Sequence, residues 1–345
     1  MSVFRPNLGL PRMNTERIAR HRTVTSDAYG KFLPGGGIID GTKARDTGEE
    51  DGDTTHLRAG LLMGRITSGG KYANSFFGTT TGALANGATS ITVSATEAAE
   101  IVRRIGASGN ISLTGPASAA GAVRSLTVAY SAVNTTTGVV TITSPTVNEV
   151  QTLNFANSPS GAFRLGIIDY TGKLVYTQPI TYSATIATLL SNLQTATDAA
   201  LATNAIVWSG TLVTAVAGTF SGTNYTGVAQ PALIRVDTDS LTAGSVSVAQ
   251  TTAGVSGAFV AGSLVGDTDG SQVPVAFISD GWGELVTVNS AGTGEDQPWA
   301  RIPYEKLVMD SQLLPWPSDS SLKQYIRDKL KSLGAQFSFS DAYLA

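Results

Sequence analysis

The stretch Ser125–Thr143 reads SLTVAYSAVNTTTGVVTIT, and its pattern indicates the fold class of the chain. Apolar and hydroxyl side chains alternate over Ser125–Val133 and again over Gly138–Thr143, as they do in half-buried β-strands. The intervening residues Asn134–Gly138 favour a turn. The stretch therefore predicts a β-hairpin.

A short helix is predicted on the N-terminal side of this hairpin. Thr89–Val93 alternates as a strand, and Ser94 and Glu97 then have the spacing of a capping box, in which each side chain bonds the backbone of the other residue. Gly106 follows as a C-terminal cap. The apolar face of this helix is predicted to consist of Ala98, Ile101, Val102 and Ile105.

The middle of the chain contains very few charged residues. Between Ile105 and Ile234 they are Arg124, Glu149, Arg164, Asp169, Lys173 and Asp198. Short strands recur over residues 149–254, and one helix, with Ser183 as its N-cap, interrupts them. Because Thr and Ser replace Lys and Glu on the polar faces, residues 149–254 are predicted to form a β-sandwich-like module with one helix.

The whole chain is predicted to be mainly β with a few short helices, in the α+β class. Residues 1–55 are expected to form an extended N-terminal arm. Residues 56–148 and 255–345 are expected to form a small β-rich core with two short helices, the second of which follows Ser318 and Asp319. The β-sandwich module is inserted in this core or appended to it.

The N-terminal arm is rich in arginine and is broken by proline and glycine. It cannot bury enough apolar surface to fold alone. Its arginines have no interleaved aromatic residues and the net charge of the chain is −3, so an acidic protein surface is favoured over nucleic acid as its partner. The sequence therefore predicts that the arm orders when it lies along another protein.

Composition excludes several classes of function. The 345 residues include 49 charged residues, no cysteine and two histidines, His21 and His56. Disulfides, thiolate metal sites and a cysteine nucleophile are thereby ruled out. No apolar run is long enough to span a bilayer, and the N-terminus has no apolar core of a secretory signal. We expect no cofactor, no metal, no membrane partner and no enzymatic activity.

Two weaker patterns in the sequence resemble functional motifs. Asp267–Gly270 reads DTDG, like the start of a calcium loop, but the bidentate glutamate of such a loop would fall at Ile278, so a β-turn is favoured. A glycan-acting enzyme would need paired carboxylates, and Glu149, Asp169 and Asp198 have no carboxylate neighbours in sequence.

The residues Thr55–Tyr72 carry a family resemblance. Ala59–Ile66 reads AGLLMGRI and Ser68–Tyr72 reads SGGKY. This stretch resembles the entry to the core of head decoration (cement) proteins of lambda-type tailed bacteriophages, in which an unstructured arm precedes a similar motif. Glu97–Thr143 and Glu149–Gly254 are similar to building blocks of phage virion proteins.

The resemblance implies a non-enzymatic decoration or minor capsid protein that docks on the outer surface of a virion capsid after synthesis in the host cytoplasm. Its implied partners are the major capsid protein and other copies of itself, in a homotrimer. The expected capsid-binding residues are Phe4, Arg5, Leu8, Leu10, Arg12, Arg17, Arg20, Arg22, Lys71 and Tyr72.

Three other functions stay open at this point. The first is a tail, fibre or adhesin component that binds a host-surface glycan through aromatic side chains of the module, for which Trp208 and Tyr225 are the candidates. The others are a major shell protein and a glycan-acting enzyme.

Overall fold

The structure is a computed structural model, and it describes residues 31–32, 37–48, 53–278, 284–285, 294–300, 303–305, 307–310, 320–332 and 337–340. Strands account for 42% of the chain and helices for 14%, with three helices in the described part. The prediction of a mainly β, α+β fold is confirmed.

The helices and strands are as follows. The helices are α1 (Ala95–Arg104), α2 (Ile186–Ala200) and α3 (Ser320–Ser332). The first twelve strands are β1 (Lys31–Phe32), β2 (Gly37–Ile39), β3 (His56–Leu57), β4 (Leu62–Arg65), β5 (Tyr72–Asn74), β6 (Gly78–Thr79), β7 (Ser90–Thr92), β8 (Gly109–Pro116), β9 (Val123–Asn134), β10 (Val139–Ile142), β11 (Val150–Ile168) and β12 (Leu174–Tyr176). The others are β13 (Ile180–Thr181), β14 (Ile206–Leu212), β15 (Ala215–Phe220), β16 (Arg235–Asp237), β17 (Leu241–Thr252), β18 (Leu264–Gly266), β19 (Pro274–Phe277), β20 (Glu284–Leu285), β21 (Gln297–Ala300), β22 (Pro303–Glu305), β23 (Leu307–Asp310) and β24 (Phe337–Ser340).

The chain divides into two compact units. Unit 1 takes in the described residues up to Ala83, then Thr89–Thr143, and those from Phe259 onward. Unit 2 takes in Leu84–Ala88 and Ser144–Ala258. Unit 2 is thus inserted in the sequence of unit 1, and its main segment starts five residues before and ends four residues after the range 149–254 set by sequence.

Unit 1 contains two larger sheets. One has the strand order β6-β18-β8-β9-β10-β7, and the other has the order β19-β4-β5-β2-β21. The predicted hairpin forms between β9 and β10, with Asn134 paired to Val139 and Gly138 at a φ of 74°. Helix α3 adds its buried face, Leu322, Ile326 and Leu330, to an apolar cluster around Phe277. The helix predicted after Ser318 and Asp319 is confirmed.

Unit 2 is built around one long strand. The sequence predicts separate strands at Val150–Phe155 and Phe163–Tyr170, whereas β11 runs through both. It bulges at Asn157 and Ser158, which have positive φ angles of 58° and 50°. Because β11 pairs with β12, β13, β15, β16 and β17, this strand organises the seven-stranded sheet of unit 2.

The prediction of an extended arm over residues 1–55 is wrong for Gly37–Gly48, which folds into unit 1. Strand β2 pairs with β5 and β21, and Ile39 and Ala44 are fully buried in an apolar cluster with Leu57 and Met63. These apolar side chains lose water contact by joining the core, so the segment folds with unit 1.

Two details of the predicted helices also differ from the structure. In α1, the buried residues are Ala98, Glu100, Ile101 and Arg104, whereas the predicted Val102 and Ile105 are only half-buried. In α2, the N-cap is Thr185, and the hydroxyl of Ser183 instead accepts a hydrogen bond from the Thr185 N–H at 3.1 Å.

Candidate functional site

A buried charged cluster lies at the C-terminal end of α1. The side chain of Arg104 is 0% exposed, and its Nε lies 3.1 Å from Oδ2 of Asp267. Its two terminal nitrogens donate to Asn74 and to the hydroxyl of Ser271. A buried guanidinium is stable only when its donors are satisfied, and here they bond to two separate segments of unit 1, at Asn74 and at Asp267–Ser271.

Lys43 brings the N-terminal segment into the same cluster. Its Nζ lies 3.1 Å from Asp267 and 2.5 Å from Asp269. Burial lowers the pKa of Lys43, but the carboxylates outweigh burial and raise it above its ordinary value. Burial raises the pKa of Asp269, but hydrogen bonds from Lys43 and Ser271 outweigh it and lower this pKa to about 2.

Helix α1 contributes a second ion pair beside this cluster. Arg103 pairs with Glu100 one turn earlier and also donates to the carbonyls of Thr42 and Lys43. The cluster therefore ties residues 42–43, α1 and the Asp267–Asp269 loop together. Its carboxylates are held by protein cations, which makes it a positioning element of the fold.

Asp267–Gly270 bends, but the hydrogen-bonded turn begins three residues later than predicted, at Gly270, whose carbonyl accepts from the Val273 N–H at 3.3 Å. Asp267 accepts from the Thr268 N–H at 2.7 Å, and Gly270 has a φ of 104°, in the region that glycine favours. Sequence analysis did not anticipate Lys43 or Arg104 as partners. The four-residue spacing of Glu100 and Arg104, which places both on one helix face, was a signal that could have indicated a buried polar contact.

The Ser68–Tyr72 stretch, which contains the expected capsid-binding residues Lys71 and Tyr72, forms the tight connection of a hairpin between β4 and β5. Gly69 and Gly70 adopt φ angles of 89° and 71°. Lys71 follows them, and its Nζ lies 2.6 Å from Oδ2 of Asp296 with both side chains more than a third exposed. The hydrogen bond to Asp296 raises the pKa of Lys71, which keeps it charged at neutral pH.

The other predicted loop residue, Tyr72, is the point where the N-terminal segment meets this hairpin. Ile39 of β2 pairs with Tyr72 of β5 in parallel, and the Asp40 N–H donates to the Tyr72 carbonyl at 2.8 Å. In a parallel pair both strands start at the same end, so Gly37 and the glycine turn lie at one end of the sheet. Ile38 is 48% exposed beside them.

The remaining predicted capsid-binding residues lie outside the described residues. They are Phe4, Arg5, Leu8, Leu10, Arg12, Arg17, Arg20 and Arg22.

Unit 1 also contains an open cleft of about 250 Å³. Arg45, Arg58, Asp46, Phe77 and Glu97 are among the residues that line it. Its charged groups are engaged within the protein, because the Nε of Arg58 lies 3.0 Å from Asp46 and the Glu97 carboxylate accepts from two backbone N–H groups. The cleft is thus walled by groups that hold the fold.

The two aromatic residues of unit 2 that were expected to bind a glycan, Trp208 and Tyr225, are buried. Trp208 and Tyr225 are only 6% and 4% exposed, because both pack into the apolar core of unit 2, so the expectation for these two side chains is wrong. Tyr170 and Tyr176 are the exposed tyrosines, at 66% and 48%.

Tyr176 covers a glycine on the outer face of the sheet. Gly166 pairs with Tyr176 on one side and with Arg235 on the other, and directly paired residues point to the same face. A Cβ at Gly166 would lie 2.8 Å from the Tyr176 ring. Glycine therefore allows the ring to rest on β11, with an exposed arginine next to it.

The carboxylates weighed for a glycan-acting enzyme bond to nearby protein groups. Glu149 is fully buried and accepts from Gln151 and from the Gln230 N–H, each at 2.6 Å. Asp169 holds its own turn, and Asp198 accepts from the Asn204 N–H at 2.7 Å. Each carboxylate therefore makes hydrogen bonds that stabilise unit 2.

Within the described residues, no three metal-ligating side chains come together, and no helix there is long and apolar enough to cross a membrane. No protein-family description, curated protein or solved structure matches this chain.

Proposed function

We propose that this chain is a structural protein of a tailed-phage virion that binds the outer surface of the capsid and stabilises it, as a decoration or minor capsid protein. The resemblance of Thr55–Tyr72 to decoration proteins motivates the proposal. In this proposal the protein is made in the host cytoplasm, has the major capsid protein as its partner, and has no enzymatic activity, nucleic-acid contact or membrane contact.

The observation that carries the proposal is the parallel pairing of β2 with β5. It places Gly37, at the start of β2, at the same end of the sheet as the Ser68–Tyr72 loop. The arm and the loop can then act as one continuous docking surface. The pairing supports a shared surface because Ile39 and Tyr72 lie side by side in the sheet.

Lys71 offers this surface a cation that can change partners. An exposed ion pair contributes only about 0–1 kcal/mol, so the bond between Lys71 and Asp296 can be exchanged for one with a capsid carboxylate at small cost. The charge is maintained because the pKa of Lys71 is raised.

Stabilisation follows from binding several capsomers at once. A homotrimer suits a local three-fold axis of a shell, and closed rotational symmetry is the usual state of homo-oligomers. Each bound copy adds free energy that must be lost before the capsomers separate, so shell stability rises with occupancy.

The test measures binding to expanded tailed-phage shells and the temperature at which those shells release DNA. Saturating protein should raise the release temperature, and Lys71→Ala should weaken binding about two- to fivefold, as expected for one exposed ion pair. Lys173→Ala, at an exposed turn of unit 2, is the matched control and should bind like the parent. An unchanged release temperature at full occupancy would refute the cement role.

The exposed Tyr176 supports a second candidate, a tail, fibre or adhesin component that binds a host-surface glycan. A tyrosine ring supported by a glycine backbone and flanked by Arg235 has one face free to stack on a sugar ring. Tyr176→Ala should then abolish adsorption of the protein to host cells, whereas Leu212→Ala, which truncates another exposed apolar side chain of unit 2, should not.

A further inference from the structure

The two edges of the central sheet in unit 2 differ in whether another described element covers them. The strand order is β17-β11-β15-β14, so β17 and β14 are the edge strands. An edge strand presents unpaired backbone donors and acceptors, and folded proteins usually cover or disrupt such an edge. Only one of these two edges is covered by a described element.

The covered edge is β14. Gln194 of helix α2 donates from Nε2 to the Ile206 carbonyl at 2.8 Å and accepts from the Trp208 N–H at 3.2 Å. One glutamine side chain thus makes the donor and acceptor contacts that a neighbouring strand would make. The helix blocks another chain from adding to this edge.

The edge formed by β17 is regular from Ser245 to Gln250, because its register with β11 shifts only outside these residues. It is twelve residues long, contains no charged residue and no proline, and includes no buried residue. It pairs with β11 along one side, and no other described strand pairs with its outer side. Such an edge is an open template for a further strand.

The side chains of β17 favour a second copy of the same strand. Val246 and Val248 pack toward the core of unit 2, so Ser247 and Ala249 between and beyond them face outward. An antiparallel copy centred on Ser247 places Val246 opposite Val248 of the second copy, and Ser245 opposite Ala249. In this pairing, core-facing side chains lie opposite core-facing side chains, and outward-facing side chains lie opposite outward-facing ones. Because β17 carries no charge, two copies of this edge do not repel each other.

We propose that β17 pairs antiparallel with β17 of a second copy of this chain, about a two-fold axis at Ser247. The inference rests on unit 2 alone and is independent of the proposed capsid role. A contact limited to one strand is small compared with a standard protein interface, so the association is expected to be weak.

The chain contains no cysteine, which allows a clean test by disulfide trapping. In the proposed pairing, the two Ser247 Cα atoms lie about 4.5–5.5 Å apart, within disulfide range. The two Ala249 Cα atoms are offset by four residues, or about 13 Å, and are beyond that range. Full-length Ser247→Cys and Ala249→Cys are oxidised with glutathione disulfide at equal concentrations.

Ser247→Cys should form a covalent dimer and Ala249→Cys should form none. Equal trapping of the two variants, trapping of Ala249→Cys alone, or no trapping of either would overturn the proposal.

Sedimentation of the full chain gives a second measurement that needs no cysteine. Ser247→Lys places two lysines opposite each other and should weaken dimerisation roughly two- to fivefold, whereas Ser209→Lys on the covered strand should have no effect. A wild-type chain that stays monomeric, or a Ser247→Lys chain that dimerises as the parent does, counts equally against it.

Discussion

At the scale of single residues, the most informative group is the buried cation Arg104. Its guanidinium joins α1 to Asp267, which lies 163 positions away in sequence, and to Asn74 and Ser271. Lys43 reaches the same carboxylate across 224 positions. These contacts hold the entry segment of unit 1 in place, which in turn positions β2 beside the Ser68–Tyr72 loop.

Removing Arg104 should destabilise unit 1 strongly. Arg104→Met keeps most of the side-chain volume but leaves Asp267 with Lys43 as its remaining cation. Breaking a buried ion pair costs about 3–5 kcal/mol, and the free energy of unfolding in urea should fall by an amount near the lower end of that range. Arg235→Met is the control, because this arginine is exposed, and it should change stability by less than about 0.5 kcal/mol. A loss below about 1 kcal/mol for Arg104→Met would show that the cluster contributes little.

The ion pair between Lys43 and Asp269 should make stability depend on acidity. The pKa of Asp269 is about 2 in the folded chain, below the value near 3.9 of an unfolded aspartate. Its contribution is therefore fully present above about pH 4 and is lost as the pH falls toward 2.

Thermal unfolding between pH 7 and pH 2 checks this expectation. The parent should lose more stability than Asp269→Asn over this range, and the difference between the two should narrow below pH 4. A difference that stays constant with pH would contradict the role of the Asp269 charge.

At the scale of elements, helix α1 shows how local and tertiary bonds share one side chain. Ser94 and Glu97 form the predicted capping box, with the Ser94 N–H donating to Glu97 at 2.8 Å. The other carboxylate oxygen of Glu97 accepts from the Thr79 N–H at 2.9 Å. The same glutamate therefore starts the helix and ties it to β6.

Loss of the cap should weaken unit 1 modestly. Ser94→Ala removes the acceptor for the Glu97 N–H and should cost about 1 kcal/mol of unfolding free energy. Thr96→Ala removes an exposed hydroxyl from the same helical turn and should change stability by no more than a few tenths of a kcal/mol. Equal effects of the two changes would mean that the capping bond contributes nothing.

At the scale of the whole molecule, the organisation follows from an insertion. Unit 2 begins and ends inside the sequence of unit 1, and each unit has its own apolar core. The entry segment of unit 1 becomes part of its sheet at Gly37, which leaves residues 1–30 as the stretch to test for docking.

Deleting residues 1–30 should separate stability from capsid binding. The deletion stops before β1, so the thermal unfolding of the chain should change little, whereas binding to expanded shells should weaken. If the five arginines of this stretch act through charge, binding of the full chain should fall with rising salt, because exposed charges are screened within about 8–10 Å.

The truncated chain should show a smaller salt dependence than the full chain. Binding that is independent of salt would favour apolar contacts by Phe4, Leu8 and Leu10 instead. A collapse of the fold on deletion would show that these residues belong to unit 1.

The sequence by itself determined those features that a few neighbouring residues encode. The capping box of α1, the hairpin at Asn134–Gly138 and the glycine turn at Gly69–Gly70 were all predictable, since each depends on backbone preferences over about five residues. The low charge and the alternating pattern likewise determined the mainly β class. The stripe of α3 was predictable because helical spacing shows directly which side is apolar.

Only the tertiary structure decided which residues meet across long distances in sequence. The pairing of Ile39 with Tyr72, the burial of Trp208 and the ion pairs of Arg104 depend on segments that local pattern does not connect. Burial depends on what packs above a side chain, and a buried charge is tolerated only where a distant partner meets it. For the same reason, the sequence could show that β17 lacks charges, but only the assembled sheet reveals that no described strand pairs with its outer side, whereas Gln194 covers the opposite edge.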